Sequence, residues 1–229
     1  MNLYKIRGGT EEELYTRQYQ IGVGISLGNK WFSVENITSL VIWSLKYSKD
    51  LVIVYVADSI HAINLEVRKR LTRDKAAALA DEMGTKVLRE VEDALLGTLS
   101  SLDFNRIRFA KWNEITDQDY LEKLSFLEEK YISDSNFIID IENIVKNFTK
   151  DEVRKFDAEQ IHRLGDYLIQ ELPECLYRVK IAGNECDAFV YPYDGELPEF
   201  IENLQKGLIY PEIREKVMDT KPKVFITVR

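Results

Sequence analysis

Residues 20–57 read QIGVGISLGNKWFSVENITSLVIWSLKYSKDLVIVYVA, and this stretch decides the fold. Residues 20–26 have the pattern of a first strand, and from Ser33, a good helix N-cap, apolar residues recur with helical spacing. Residues 51–57 are a nearly continuous apolar run rich in β-branched residues, which is typical of strands buried on both faces. This order of strand, helix and strand predicts a βαβ unit and a parallel sheet.

The remaining segments continue the alternation of helical and strand patterns. Helices are predicted over residues 61–101, twice between 120 and 148 with a break near Asp134, over 157–171 with an end before Pro173, and from about residue 199. Strands are predicted over residues 106–112, 188–191 and 223–228. Residues 1–17 are polar and acidic, and we expect them to form a loose N-terminal segment. The chain of 229 residues is expected to fold as one α/β domain.

Composition limits the classes of partner. The formal net charge of -8 argues against general affinity for nucleic acid such as DNA, so any such contact must use a local basic patch. The longest apolar runs fall far short of the ~20 residues of a membrane span, and the N-terminus lacks the apolar run of a signal peptide. We therefore expect a cytoplasmic monomer without membrane contact, in which Cys175 and Cys186 remain unpaired thiols.

The turn after the first strand fits two well-known motifs. Gly22, Gly24 and Gly28 resemble a dinucleotide-binding fingerprint, with Asp58 as the ribose ligand, but the last glycine comes one place late and Trp31 puts bulk where phosphate needs room. The stretch 24–28, GISLG, also fits the G-x-S-x-G nucleophile elbow of hydrolases.

A hydrolase needs a histidine base, and the chain has two histidines, His61 and His162. His61 follows the second strand and His162 lies within a helical pattern, so neither is well placed for a catalytic triad. A third interpretation keeps Ser26 as the nucleophile and removes the need for histidine. An ester that is already activated, such as the aminoacyl ester of a tRNA, demands less help from a protein base.

Two separated motifs resemble those of the tRNA-dependent cyclodipeptide synthases. Residues 24–33, GISLGNKWFS, resemble the first signature of that family, and residues 167–173, YLIQELP, resemble its helix carrying Tyr-x-x-x-Glu-x-Pro. Tyr191 with Pro192 resembles the family's third functional tyrosine, and the terminal VFITVR resembles its last strand. The similarity runs from about residue 20 to the end of the chain.

The resemblance implies a fold, a reaction and a set of substrates. The fold would be Rossmann-like, a mostly parallel sheet flanked by helices, similar to the catalytic domains of class I tyrosyl- and tryptophanyl-tRNA synthetases. Because their ATP-binding motifs are missing, we expect no ATP and no metal cofactor. The enzyme would be an aminoacyltransferase that takes two aminoacyl-tRNAs, passes through an aminoacyl-Ser26 and a dipeptidyl enzyme, and releases a cyclic dipeptide, a diketopiperazine.

The resemblance also implies the roles of individual residues. Tyr167 and Glu171 are one helical turn apart, so both can reach the α-amino group of the substrate. Tyr191 would relay protons or hold the second substrate, although Tyr193 is close enough to act in its place. The residues expected to bind substrate are Gly22, Gly24, Asn29, Val54, Pro192 and Asp194. A glycine at position 22 suggests a first aminoacyl pocket with room for a bulky or polar side chain.

The expected tRNA surface lies on the helices after the second strand. The densest basic cluster is expected to contact the tRNA backbone, together with two residues of the following helix. These residues are Arg68, Lys69, Arg70, Arg73, Lys75, Lys86 and Arg89. Two alternatives remain, namely a serine hydrolase of α/β type and a non-catalytic module that binds tRNA or a nucleotide.

Overall fold

The computed structural model describes residues 1–150, 152–181, 183–218 and 221–229. Its strands are β1 (Leu3–Arg7), β2 (Ile21–Ile25), β3 (Val52–Val56), β4 (Ile107–Lys111), β5 (Lys180–Ile181), β6 (Asn184–Glu185), β7 (Ala188–Tyr191) and β8 (Val224–Val228). Its α-helices are α1 (Glu11–Tyr15), α2 (Val34–Tyr47), α3 (Asp58–Lys69), α4 (Arg73–Leu96), α5 (Ser101–Phe104), α6 (Gln118–Ser133), α7 (Ser135–Phe148), α8 (Ala158–Leu176), α9 (Glu196–Lys206) and α10 (Pro211–Val217).

Six of these strands form one sheet in the order β1-β8-β7-β2-β3-β4. The neighbours from β8 to β4 are all parallel, and only β1 runs antiparallel, beside β8. The predicted mostly parallel sheet is therefore confirmed. The strands that follow β2 in the sequence, β3 and β4, lie on one side of β2. The later strands β7 and β8 lie on its other side. This change of direction makes the carboxyl end of β2 a topological switch point, where α/β sheets bind their ligands.

Alternate residues of the central strands enter two different cores. Val23 and Val54 pack with α2, whose N-cap Ser33 accepts a hydrogen bond from the backbone N–H of Asn36 as the sequence predicts. On the opposite face, Ile53 and its neighbours pack against α6, α7 and α8. The two faces of the sheet are thus separated by the period-2 alternation of its strands.

The N-terminal segment is ordered, so the prediction of a loose segment over residues 1–17 was wrong. Its strand β1 pairs with β8, and Thr10 forms a capping box with Glu13 at the start of α1. Leu14 of this short helix is fully buried, and Arg7 forms ion pairs with acidic residues of the C-terminal part. These tertiary contacts fix a segment whose composition alone suggests a solvated tail.

Helix α8 continues through Pro173, so the prediction that it ends before this residue was also wrong. A proline removes one backbone N–H, and the last turn is still closed by the N–H of Tyr177 bonding to the Pro173 carbonyl at 3.0 Å. The next two carbonyls, of Glu174 and Cys175, accept hydrogen bonds from the side chains of Lys223 at 2.8 Å and Gln205 at 3.4 Å. The extra turn is stabilised by partners distant in sequence.

Besides β1, the smaller elements that were not predicted are the hairpin of β5 with β6 and the helices α1, α5 and α10. Apart from the end of α8, the other strands and helices agree with the predictions to within a few residues. Cys175 and Cys186 are free and buried, as expected. In the described part of the chain, no helix combines the length and apolar character needed to cross a membrane.

Candidate active site

Ser26 directly follows β2, at the carboxyl end of the central strand. In this strand Ile21, Val23 and Ile25 face the α2 side, so Gly22 and Gly24 face the opposite side. The serine continues that alternation and lies on the face that α8 covers. It is therefore positioned at the switch point of the sheet, beside the helix that carries the second motif.

Tyr167 and Glu171 of α8 and Tyr191 at the end of β7 meet at Ser26. The Ser26 hydroxyl lies beside the phenols of Tyr167 and Tyr191 and acts on both as a hydrogen-bond partner. The charge of Glu171 reaches both phenols as well. The structure thus brings together four residues that lie up to 165 positions apart (191 - 26) in the sequence. Their catalytic roles stay predictions.

Both tyrosines are held in the neutral form. Burial raises the pKa of Tyr167 well above its usual value, and the nearby Glu171 and Tyr191 raise it further. Burial also raises the pKa of Tyr191, with Glu171 as the next cause, while the Ser26 hydroxyl opposes the shift. Neutral phenols can donate a hydrogen bond and accept one, so each can pass a proton between Ser26 and a bound group.

Glu171 is a carboxyl group whose pKa lies near neutrality. Burial, followed by the charge of Glu174 on the next turn, raises the pKa of Glu171 to about 8. A carboxyl that changes its protonation state near physiological pH is suited to acid–base catalysis. The side chain is half-buried, so it is still open to a substrate.

Asn29 closes the turn after Ser26. Its Oδ1 atom accepts hydrogen bonds from the backbone N–H of Trp31 at 3.0 Å and from the Tyr193 hydroxyl at 3.3 Å. Tyr193 is 42% exposed and meets the Trp31 ring edge-on. These contacts connect the turn after Ser26 to the loop that follows β7.

The face of Gly22 and Gly24 is filled by protein side chains. A Cβ atom at Gly22 would lie 2.5 Å from Cys186 Sγ, and one at Gly24 would lie 2.5 Å from Phe189 Cε2. Tyr55 packs against both glycines, at 3.0 Å and 3.3 Å from the same two Cβ positions. The expected extra room beside Gly22 is therefore taken by Cys186 and Tyr55.

The expectation that Val54 lines this pocket was wrong. Val54 pairs with Val23 in the register of β2 and β3, and both side chains enter the core beneath α2. The residue on the site's face is its neighbour Tyr55, which pairs with Gly24. Counting the strand alternation from Ser26 would have identified Tyr55 from sequence.

Asp194 is held by cations of β1. Its carboxylate forms an ion pair with the buried guanidinium of Arg7, and Lys5 Nζ lies 3.7 Å away. The arrangement makes Asp194 an anchor for the loop after β7, where Pro192 is buried and Tyr193 is exposed. The Arg7–Asp194 pair was missed because β1 was not recognised as a strand.

The two histidines do not provide a triad base. His162 stacks on Tyr131 with ring centroids 4.6 Å apart, and its Nδ1 lies 3.3 Å from Glu142. His61 is buried beneath Gly28, and burial lowers its pKa to about 4. Among the described residues, no hydrogen bond joins either ring to Ser26, whose partners are the phenols.

The basic residues expected to contact tRNA are all exposed, on the end of α3, the segment after it and α4. Arg68 forms an ion pair with Glu152 and lies over the ring of Phe156. Lys86 Nζ lies 3.9 Å from Glu90 Oε1, one turn further along α4. The structure therefore places Lys69, Arg70, Arg73, Lys75 and Arg89 on an accessible surface, and their contact with tRNA stays a prediction.

Comparison with solved structures supports the fold. A cyclodipeptide synthase from Bacillus thermoamylovorans is 19% identical, with a TM-score of 0.74 over 99% of this chain and 96% of that chain. A Mycobacterium tuberculosis protein, reported to relate cyclodipeptide synthetases to type I tRNA synthetases, is 19% identical, with a TM-score of 0.67 over 96% of this chain and 90% of that chain.

A cyclodipeptide synthase from Candidatus Glomeribacter gigasporarum, solved bound to Phe-tRNAPhe, is 19% identical, with a TM-score of 0.56 over 92% of this chain and 88% of that chain. At such identities these likenesses concern the fold alone. No curated protein sequence matches the chain.

The family itself follows from the sequence. The family model described as cyclodipeptide synthase matches residues 7–211, which include Ser26, Tyr167, Glu171 and Tyr191. Members of this family are tRNA-dependent transferases that form cyclic dipeptides, so the inferred enzyme class is confirmed. The match extends over most of the 229 residues, and the chain belongs to the cyclodipeptide synthase family.

Proposed function

We propose that this enzyme makes its cyclic dipeptide by a covalent ping-pong route in which Ser26 carries first an aminoacyl group and then a dipeptidyl group. The observation that carries the proposal is the meeting of the Ser26 hydroxyl with two neutral phenols and the Glu171 carboxyl at the switch point of the sheet. A nucleophile, proton-relaying groups and a group suited to an amine are present together.

In the first step the Ser26 oxygen attacks the ester carbonyl of an aminoacyl-tRNA. A new ester bond forms on Ser26, the bond to the terminal ribose of the tRNA breaks, and the serine proton passes to the leaving ribose oxygen. Tyr167 or Tyr191 can relay this proton because each phenol lies beside the serine hydroxyl. One ester replaces another, so the step requires neither ATP nor a metal ion.

In the second step the α-amino group on the aminoacyl-Ser26 attacks the ester carbonyl of a second aminoacyl-tRNA. The attacking amine must first lose its proton, and Glu171 is the carboxyl available to accept it. The second tRNA leaves, and the dipeptide remains attached to Ser26. The free amine of the dipeptide then attacks the serine ester, which closes the six-membered ring and regenerates the serine hydroxyl.

Both substrates are proposed to be aminoacyl-tRNAs. The Candidatus Glomeribacter gigasporarum synthase was solved with a charged tRNA, and its fold is shared by this chain. In a protein with a net charge of -8, the exposed basic residues after α3 are the best candidates for contact with the tRNA backbone.

Intact-protein mass spectrometry after mixing with aminoacyl-tRNA tests the route. Wild type and Glu171→Gln should gain the mass of one aminoacyl group, with the adduct accumulating in Glu171→Gln because deprotonation of the amine is impaired. Ser26→Ala should gain nothing, whereas Ser39→Ala, at an exposed position of α2, is the matched control and should behave as wild type. An adduct on Ser26→Ala, or cyclic dipeptide formed by that variant at the normal rate, would rule out the covalent route.

A further inference from the structure

A buried polar cluster lies one turn of α8 beyond Glu171. Glu174 and Lys223 are each 1% exposed and form an ion pair. The hydroxyl of Tyr55 donates a hydrogen bond to Glu174 Oε1 at 2.5 Å, and Cys175 Sγ lies 3.6 Å from Glu174 Oε2. Residues of β3, of α8 and of the segment directly before β8 thus contribute to holding one carboxylate.

Helix capping alone does not explain the charge on Glu174. Lys223 Nζ does cap the helix by donating to the Glu174 carbonyl at 2.8 Å, but a neutral donor such as Gln205 does the same for the adjacent Cys175 carbonyl. A buried ion pair contributes no more stability, as a rule, than apolar side chains of similar size. Neither capping nor stability therefore accounts for the negative charge of Glu174. Its effect on a neighbouring group of the site does account for it.

The group it acts on is Glu171, three residues earlier and on the same side of the helix. The titratable groups around Glu171 are Tyr167, Glu174 and Cys175 on α8, Tyr120 on α6 and Tyr191 on β7. Burial raises the pKa of each of these phenols and of the Cys175 thiol, so all four are neutral. Glu174 is the charge that acts on Glu171, and the Lys223 ammonium group holds Glu174 in place through their ion pair.

We propose that Glu174 is a positioning residue for the reaction: Tyr55 and Lys223 fix its carboxylate one turn of α8 beyond Glu171, where it acts on the carboxyl group that accepts a proton from the α-ammonium group of the substrate. This inference rests on the proposed function, in which that ammonium group must lose its proton before it attacks.

The raised pKa of Glu171 brings this carboxyl group close to the pKa of the α-ammonium group from which it accepts a proton. An α-amino group has a pKa of about 8, and an unperturbed glutamate has one of about 4.3. An unperturbed carboxylate would hold the substrate as an ammonium ion, which cannot attack a carbonyl. With the pKa of Glu171 raised to about 8 by burial and by Glu174, proton transfer from the ammonium group is nearly balanced.

The first test follows the carboxyl groups directly and needs no tRNA. Infrared difference spectra of the whole protein between pH 6 and pH 10 should contain a protonated carboxyl band that disappears with a midpoint near pH 8 and is missing in Glu171→Gln. In Glu174→Gln the midpoint should fall by roughly 0.5–1 pH unit, because a like charge has been removed. Glu142→Gln, at a half-buried glutamate of α7, is the matched control and should leave the midpoint unchanged.

The second test measures the pH profile of cyclic dipeptide formation with charged tRNA. Glu174→Gln should shift the acidic limb to lower pH and lower the plateau rate roughly three- to tenfold, because Glu171 becomes a weaker base. A purely structural role would lower the rate without moving the limb. If Glu174→Gln fails to fold, the double variant Glu174→Gln/Lys223→Gln removes both charges together and should shift the limb in the same direction by a smaller amount, because the loss of the Lys223 cation partly offsets the loss of the Glu174 anion.

The outcomes separate this inference from the function on which it rests. A midpoint and a limb that stay in place in folded Glu174→Gln, while Glu171→Gln is inactive, would overturn the role of Glu174 alone. Full activity of Glu171→Gln would overturn the role of Glu171 in the reaction and with it the inference. A downward shift of both the infrared midpoint and the kinetic limb supports the proposal.

Discussion

At the scale of single residues, the site combines neutral hydroxyl groups with one carboxyl of raised pKa. Ser26 lies between the phenols of Tyr167 and Tyr191, and Glu171 lies close to both phenols. Burial disfavours the charged forms of Tyr167, Glu171 and Tyr191. Keeping Glu171 protonated in the folded protein should lower the free energy of unfolding above the pKa of an unfolded glutamate.

The first prediction concerns the stability of the fold at different pH values. Between pH ~4.5 and pH ~8 an unfolded chain has an ionised Glu171, whereas the folded protein keeps this carboxyl protonated, so folding becomes less favourable as pH rises. Glutamine does not ionise, and Glu171→Gln should therefore melt several degrees above wild type at pH 8, at about 2–4 °C for each kcal/mol. The two proteins should melt together near pH 4.5.

Thermal unfolding at both pH values, followed by circular dichroism, measures this difference. Glu215→Gln serves as the control, since it removes an exposed carboxyl of α10 outside the site. A gap between Glu171→Gln and wild type that is the same at both pH values would contradict the raised pKa.

The second prediction concerns the packing against Gly22. A Cβ atom there would lie 2.5 Å from Cys186 Sγ and 3.0 Å from Tyr55 Cε1, so Gly22→Ala should destabilise the protein by about 1–3 kcal/mol. In Gly22→Ala/Cys186→Ala the nearest clashing atom is gone, and a large part of this loss should be recovered. Urea unfolding of the four proteins in a double-mutant cycle gives the coupling energy, and strict additivity would contradict the contact.

The resemblance of the motifs to those of the cyclodipeptide synthases was sufficient to predict that Tyr167, Glu171 and Tyr191 lie together with Ser26. Two features escaped them. The first is Tyr55, because the period-2 alternation of β3 places this residue, and not Val54, on the face of the sheet that bears Ser26. The Glu174–Lys223 pair joins residues 49 positions apart, and no local pattern links a lysine before the last strand to a helix end.

At the scale of elements, the loop after β7 depends on the first strand of the chain. Arg7 of β1 is buried and forms ion pairs with Asp194 of this loop and with Glu202 of α9. Tyr193 of the same loop donates a hydrogen bond to Asn29 in the turn after Ser26. The position of Tyr191 and Tyr193 is thus set partly by a segment outside both motifs.

The third prediction separates the two partners of Arg7. Asp194→Asn should reduce the rate of cyclic dipeptide formation about tenfold, because the loop bearing Tyr193 loses its charged anchor while Arg7 keeps Glu202. Glu202→Gln removes the other ion pair, leaves the loop anchored and should keep nearly the full rate. Steady-state kinetics on both variants, with melting curves to confirm folding, measure the contrast. Equal losses in the two variants would exclude a specific role for the loop.

Two elements show why sequence patterns mispredicted part of the fold. Strand β1 is a sheet edge with exposed Tyr4 and Lys5, so its composition resembles that of a solvated tail. The extension of α8 past Pro173 depends on side chains of Lys223 and Gln205 that cap its last carbonyls. In both cases the decisive contact comes from the far end of the chain.

At the scale of the whole molecule, a negative protein must bind a polyanion. With a net charge of -8, approach of tRNA is opposed everywhere except at local basic surfaces. Arg68 is paired with Glu152, whereas Arg70 and Arg73 are exposed where α3 ends and α4 begins. Binding of tRNA there should be strongly dependent on salt.

The fourth prediction is that Arg70→Glu/Arg73→Glu raises the KM for aminoacyl-tRNA at least tenfold and leaves kcat within about twofold, because phosphate contacts position the substrate without taking part in the chemistry. Initial rates at several salt concentrations should also show a smaller salt dependence for this variant. Lys206→Glu, on α9, is the control of equal charge change per site and should alter KM little. An unchanged KM in the double variant would place the tRNA elsewhere.

The pairing of β1 with β8 also determines when the enzyme can be completed during synthesis. Leu3 lies opposite Val228, so β1 leaves the ribosome long before β8, the strand that pairs with its edge. The same is true of Glu174, whose carboxylate stays without its ammonium partner until Lys223 has been made. While β8 is still being translated, the chain already contains Ser26, Tyr167, Glu171 and Tyr191 but lacks the contacts that Lys223 and β8 make, so we expect no activity before this segment has left the ribosome.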